Sequence, residues 1–331
     1  VTLSVASGRP VLGTWQSVFL LEMDGRRFRF DPRRTVAGDL NMISHAHSDH
    51  IPSSFRTLGV LCSDVTRDLV KVRRGKETER VDDPRVRCLD AGHIPGSNMF
   101  LVSGDRPVLY TGDLCTRKKA HVGPAEPVKC GSLIIEATYG RPRYVFPDHE
   151  EVLGAARDWL EDLVAHGTSA VLFAYPLGKS QELSIAFRDL PLRLHPSIAE
   201  NNRVLGRHGY GLGTEELDER GEEGPVVYIT SGMGKDRERV ERMRRAGAKT
   251  AAFSGWALDR SFSYSSSLDE GFPLSDHCGY DELMRFVEKC SPDIVYTTHG
   301  FDKAFAASVR KELGVDARPL VAKQGTMDQF C

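Results

Sequence analysis

The sequence predicts an α/β protein in which one α/β unit is inserted into another. Three observations carry this. Strand-and-turn patterns fill the chain up to about residue 150, strands and helices alternate from there to about 248, and a helix, a strand and a last helix close the sequence pattern. The composition agrees, since 331 residues with 40% hydrophobic and 27% charged side chains supply a sizeable core and no lean toward disorder. No apolar run approaches the roughly 20 residues of a membrane span, so no membrane partner is expected. The first residues lack the basic, apolar and small-residue order of a signal peptide. Seven cysteines, at 62, 88, 115, 130, 278, 290 and 331, are dispersed and form no CxxC pair. Both features are expected of a cytoplasmic protein. The net charge of −2 gives no overall attraction to nucleic acid and leaves only local clustering.

The elements follow in order. "SVFLLEMDGRRFRFD" alternates around Asp24-Gly25 and predicts a hairpin. "DLNMIS" is a short buried strand that runs into "HAHSDH", which therefore lies on a loop at a strand end. "NMFLVSGDRPVLYTGD" is a second hairpin, and "CGSLIIEATYG" an apolar strand ending in Glu136 and Tyr139. Helical periodicity then sets in with "EEVLGAARDWLEDLVAHG" and alternates with "SAVLFAY", "SQELSIAF", "PVVYIT" and "GKDRERVERMRRAG". After "KTAAFSGWA" and the loop "SYSSS" come a helix in "YDELMRFVEKC", the strand "DIVYTTHG" and a helix in "DKAFAASVRKELG".

The loop concentrates chemistry. His45, His47, Asp49 and His50 are four potential ligands within six positions, and burying them together without a partner would incur repulsion or desolvation that a bound cation relieves. Imidazole with carboxylate suits zinc, and manganese or iron could also use such ligands. More ligands must arrive from other strand ends. His93 in "DAGHIPGS", Asp113 in "VLYTGD", His277 in "LSDHCGY" and His299 in "VYTTHG" each stand where an apolar strand meets a glycine or polar turn.

"HAHSDH", "AGHIPGS" and "YTGD" together resemble the metallo-β-lactamase superfamily, and "LIIEATYG", "SDH" and "THG" resemble the three further motifs of its β-CASP nuclease branch. The likeness spans nearly the whole chain. Its length, "FAYPLGKSQEL" and "FSGWA" most resemble ligase-associated DNA exonucleases and archaeal mRNA 3′-end processing factors. The resemblance implies a four-layer αββα sandwich in two parts, residues 1–140 and 249–331, with a β-CASP α/β cap over 141–248.

It also implies roles. One zinc would be held by His45, His47 and His93, another by Asp49, His50 and His299, with Asp113 shared and Asp49 also orienting the attacking water. Asp31 in "RFDPRR" would orient the histidine loop. Glu136 beside His277 would keep that imidazole protonated as a general acid, since a neighbouring carboxylate favours the cation. Lys179 in "PLGKSQEL", at a helix start, and Ser275 of the "SDH" motif are expected to touch substrate. The basic runs Arg26–Arg34, Arg117–Lys119 and Arg237–Arg245 read mainly as solvated faces.

The implied activity is a zinc-dependent nuclease on single-stranded nucleic acid, DNA favoured over RNA and cut from an end, with DNA repair or RNA processing proteins as partners. The alternative is a ribonuclease of the mRNA-processing or RNase J kind. A small-molecule hydrolase would share the first motifs without needing a cap, and a non-catalytic subunit should have lost ligands. The "THG" histidine occurs in both RNA-type and ligase-associated members, whereas the absence of an accessory nucleic-acid domain ahead of the first motifs favours the exonuclease.

Overall fold

The first sheet grows from a tight hairpin. In the computed structural model, which describes residues 11–15, 18–218, 223–232, 236–259, 262 and 267–320, β1 (Val11–Trp15), β2 (Val18–Met23) and β3 (Arg26–Phe30) pair antiparallel and β4 (Leu40–Met42) joins β3 in parallel. Most of the "SYSSS" loop and Cys331 lie outside the described residues. Asp24 and Gly25 have φ of 50° and 72°, the paired left-handed geometry that an Asp-Gly hairpin turn requires. β5 (Gly59–Val60) and β6 (Glu79–Arg80) then bracket α1 (Asp64–Arg74), whose N-terminus is capped by the Ser63 hydroxyl, 3.0 Å from the Thr66 N–H.

The second sheet begins with β7 (Val86–Asp90), β8 (Asn98–Val102) and β9 (Val108–Tyr110) as an antiparallel meander, to which β10 (Ser132–Glu136) adds in parallel. The chain then leaves. α2 (His149–Ala165), β11 (Ala170–Phe173), α3 (Lys179–Ala186), β12 (Leu192–Leu194), α4 (Pro196–Arg207), β13 (Val227–Thr230), α5 (Asp236–Arg245), β14 (Lys249–Phe253) and β15 (Glu270–Phe272) make a separate parallel sheet of order β12-β13-β11-β14-β15. Finally α6 (Tyr280–Cys290), β16 (Ile294–Thr298), α7 (Asp302–Leu313) and β17 (Asp316–Pro319) return to the second sheet, whose order is β17-β16-β10-β9-β8-β7. The boundary expected at residue 249 is thereby corrected. β14 and β15 are cap strands, because β14 pairs with β11 from Ala170↔Lys249 to Phe173↔Ala252, and the return falls after Phe272.

Side-chain alternation sets the layers. Phe100, Val102, Tyr110 and Ile134 face Phe28, Phe30 and Met42 of the first sheet, while Met99, Leu101, Leu133 and Ile135 face Leu283, Phe286, Phe305 and Val309 of α6 and α7. Apolar on both faces, these strands read as continuous hydrophobic runs. Leu69 and Val70 of α1 share a core with Val204 and Leu205 of α4, so the cap docks on the outer helix of the first sheet. The result is the four-layer αββα arrangement with an inserted cap. No helix among the described residues is long and apolar enough to cross a membrane, and the six described cysteines are unpaired.

Gly92 shows how tightly the second sheet's edge is built. Its φ is 67°, and a Cβ there would lie 2.1 Å from the Cys115 carbonyl oxygen and 2.7 Å from the Ala125 nitrogen. Gly92→Ala should therefore cost roughly 3 kcal/mol or more, the sum of a left-handed alanine and an overpacked contact. Gly25→Ala, which meets open space, should cost only the ~1–2 kcal/mol of the backbone term. Denaturant titration compares the two directly, and equal losses would contradict this account of the clash.

Candidate metal centre

The histidine loop is held by one carboxylate. Asp31, at φ 44° just beyond β3, accepts hydrogen bonds from the Ser44 N–H (2.6 Å), the Ser44 hydroxyl (2.6 Å), the Tyr110 phenol (2.7 Å) and His50 Nδ1 (2.8 Å). Burial and then the Asp31 charge push the Tyr110 pKa well up, so the phenol keeps its proton and donates. Residues 43–50 are thus fixed against both sheets at once.

Candidate ligand atoms from three other strand ends converge on this loop. One such atom from each of His45, His47, His93 and Asp113 lies within 4.8 Å of all the others. His93 Nε2 is 3.1 Å from His47 Nδ1, and Asp113 Oδ2 is 3.5 Å from His45 Nε2, 3.7 Å from His93 Nε2 and 3.4 Å from His50 Nε2. Asp113 therefore stands between two groups of donors. Beyond it, exposed Asp49 has Oδ2 3.7 Å from His50 Nε2, and the His299 ring centroid is 5.5 Å from that of His50. His299 adopts φ 59° in the turn after β16.

The donor set fits a divalent cation. The second nitrogen of each loop histidine is already engaged: His45 Nδ1 with the Ser44 hydroxyl (2.9 Å), His47 Nε2 with the Leu177 carbonyl (3.0 Å) and His50 Nδ1 with Asp31. His93 Nδ1 likewise meets the Asp276 carbonyl at 2.9 Å. His45 Nε2 is buried without a hydrogen-bond partner. Burial and then neighbouring histidines hold His45 and His93 well below the usual imidazole range, and His47 is lowered too, chiefly by burial. Three neutral imidazoles thus present lone pairs to one point. His50 differs. Burial would lower it, but Asp113 and Asp31 outweigh that and push it up to about 10. A cation held there would have to displace this proton. The cluster is a divalent-metal site.

Beside it lies an ion pair. His277 Nδ1 is 2.9 and 3.0 Å from the two Glu136 oxygens. Asp113, Glu136 and His277 also come within 4.8 Å of one another, but Glu136 is saturated by His277, the Leu114 N–H at 2.8 Å and the Thr138 hydroxyl. It holds the imidazole rather than an ion. Burial opposes the charge on both partners, yet their mutual attraction wins, raising His277 and lowering Glu136. The ring centroids of His93 and His277 are 4.5 Å apart.

Two residues expected to meet substrate line the cavity beside the histidines and also make internal contacts. Lys179 is buried, with Nζ 3.0 Å from Asp276 Oδ2, and the Gly178 N–H at the start of α3 is taken by the Gln181 side chain at 2.6 Å. A phosphate would meet an ion pair there, not a free cation. The Ser275 hydroxyl accepts from the His277 N–H at 3.0 Å and so closes the 275–277 turn. Within the Arg117–Lys119 run only Lys118 is exposed. Arg117 pairs with Glu282 and donates to the carbonyls of Ser275 (2.9 Å) and His277 (2.6 Å), while Lys119 is buried against Asp276 and the His93 carbonyl. Arg26, Arg27 and Arg29 pair with Asp83 and Asp39. Sequence reasoning assigned no role to Asp276, Tyr175 and Trp256, although they lie inside the quoted "SDH", "FAYPLGKSQEL" and "FSGWA", and had no signal for Arg73; all four line the same cavity of about 490 Å³ as the histidines.

Comparisons with known proteins agree with this geometry. Residues 270–319 match the family described as the Zn-dependent metallo-hydrolase RNA specificity domain. A probable DNA ligase of Opitutus terrae is 36% identical over 293 residues, 84% of this chain and 28% of the relative. RNase aCSPSF2 of Saccharolobus solfataricus is 25% identical across 73% of this chain and 58% of its own length, and the mouse DNA cross-link repair 1A protein is 23% identical across 77% and 28%. The chain thus spans less than two thirds of each of these relatives. With the shared motifs, the four-layer fold, the inserted cap and the His/Asp cluster, the chain belongs to the β-CASP branch of the metallo-β-lactamase superfamily.

Proposed function

We propose that the protein is a two-zinc nuclease that degrades single-stranded DNA from an end. The observation that carries this is His277, held by buried Glu136, lining the same cavity as the candidate metal ligands. A hydrolase of small, activated substrates has less need of a proton donor for the departing oxygen. A phosphodiester leaves an alkoxide, which does.

His45, His47 and His93 would hold one ion, Asp49, His50 and His299 the other, and Asp113 both. When bound, the two ions supply an activated water and neutralise charge on the phosphate, and manganese fits the same donors. The chain's own residues do the rest. Asp49, exposed at the cavity rim, orients the incoming water, and Asp31 keeps His50 turned inward. Glu136 holds Nδ1 of His277, leaving Nε2–H to protonate the leaving oxygen. The 36% identical relative, named a probable DNA ligase, supports DNA, and the RNA-specificity match over 270–319 supports the ribonuclease reading.

Three outcomes are expected. After zinc loading, elemental analysis should find two metals per chain, and Asp113→Ala should lose affinity at both sites; one ion, retained in that variant, would remove the shared-carboxylate scheme. His277→Ala should keep its metal while kcat falls by ~10²–10⁴-fold. Combining it with Glu136→Gln should cost little more, because both act as one unit, so additive losses would discard the acid assignment. Time courses on 5′- and 3′-labelled DNA and RNA should release mononucleotides or short products from one DNA end, with RNA slower and cleavage weakening as salt rises. Internal cuts confined to RNA would move the assignment to mRNA-type processing.

A further inference from the structure

Among the described residues, the exposed large hydrophobic side chains are Leu58, Val145, Tyr175 and Trp256, and the last two line the metal-centre cavity. They arrive independently. Tyr175 follows β11 and Trp256 follows β14, adjacent strands of the cap sheet, so both project from the cap toward the ligands. Tyr175 is 67% exposed, with its ring centroid 6.3 Å from that of His47. Trp256 is 42% exposed yet braced, with ring centroids 4.9 Å from Tyr139, 5.5 Å from Tyr144 and 6.2 Å from Phe301. Core packing accounts for the braced side of the indole and not for the open one.

The opposite chemistry is also present. Arg73, at the end of α1, lines the same cavity, donates to the Ser48 hydroxyl at 2.9 Å and has a buried Nε without a partner. A ligand that suits both features is flat and aromatic on one side and anionic on the other. Such a ligand is a nucleotide whose base is unstacked.

We infer that Tyr175 and Trp256 are stacking platforms for the unpaired bases of a single strand, with Arg73 meeting its phosphates. This deepens the nuclease reading and rests on it. Base faces are free in a single strand and hidden in a duplex, so selection for single strands needs no hydrogen bond to a base edge. Every base has such a face, so the selection is sequence-tolerant.

The test is binding, separated from chemistry. Fluorescence anisotropy of the zinc-loaded protein would compare a cleavage-resistant phosphorothioate deoxyoligonucleotide with an abasic strand of equal length and linkage. Tyr175→Ala and Trp256→Ala should each raise Kd about tenfold or more for the base-bearing strand, a loss within the range known for one stacked base. Kd for the abasic strand should be the same in all proteins, and Tyr175→Phe and Trp256→Phe should restore the base-bearing value. Unchanged affinity in the alanine variants, or equal losses on both strands, would overturn the inference. Should Trp256→Ala fail to fold, Tyr175→Ala and Tyr175→Phe carry the comparison, since Tyr175 is mostly solvent-exposed. Wild-type hydrolysis of bis(4-nitrophenyl) phosphate is measured separately: its absence counts against the nuclease reading alone, while base-dependent binding still decides the platforms.

Discussion

The arrangement depends on one buried carboxylate. Asp276 sits between Lys179 of the cap and Lys119 of the metal-binding half, and its backbone carbonyl fixes Nδ1 of His93. Burial would raise its pKa, but the two lysines hold it well below the usual carboxylate range. Removing one partner from such a cluster strands a buried charge, which is far more costly than never having buried the set. The cap therefore cannot shift from the metal-binding half without exposing a charge imbalance, and the same residue that docks the cap also orients His93.

Charge is distributed across the rest of the centre by the same logic. His45, His47 and His93 are kept neutral chiefly by burial and then by neighbouring histidines, and each has its outer nitrogen tied to a backbone or hydroxyl oxygen. His50, between Asp31 and Asp113, is cationic until something replaces its proton. The candidate ligands, the loop's own included, follow strands' C-terminal ends, where open α/β sheets gather their ligands. The second sheet and the cap sheet both turn those ends toward one cavity.

Much of this was legible in the sequence because it is local. The Asp24-Gly25 turn has one suitable geometry, the four potential ligands within His45–His50 have few other reasons to be adjacent, and glycine beside His93 and Asp113 marks close backbone approach. What was not legible depends on distant partners. Arg117 and Lys119 form a basic run by composition and become buried because Glu282 and Asp276 come to them. Lys179 followed a glycine at a helix start and looked like a phosphate cradle, but Asp276 claims its charge. The strand at 249–253 has the same apolar pattern whichever sheet it joins, so its place in the cap was fixed by pairing with β11.

The insertion also dictates the order in which the molecule can assemble. Ser132 of β10 lies opposite Ile294 of β16, so the centre of the second sheet stays open until the entire cap has been synthesised. Closing so long a loop costs little more at equilibrium than closing one half its length, because the entropy grows only logarithmically. The kinetic consequence is larger: distant parallel pairing is slow, and the unpaired edge of β10 is exposed while the ribosome delivers the cap. The cap sheet, whose strands are all drawn from the intervening segment, can form first and present Lys179, so that Asp276 meets its lysine only as the last strands arrive. Pulsed hydrogen exchange during refolding would show it as protection of β11 and β13 before β10 and β16.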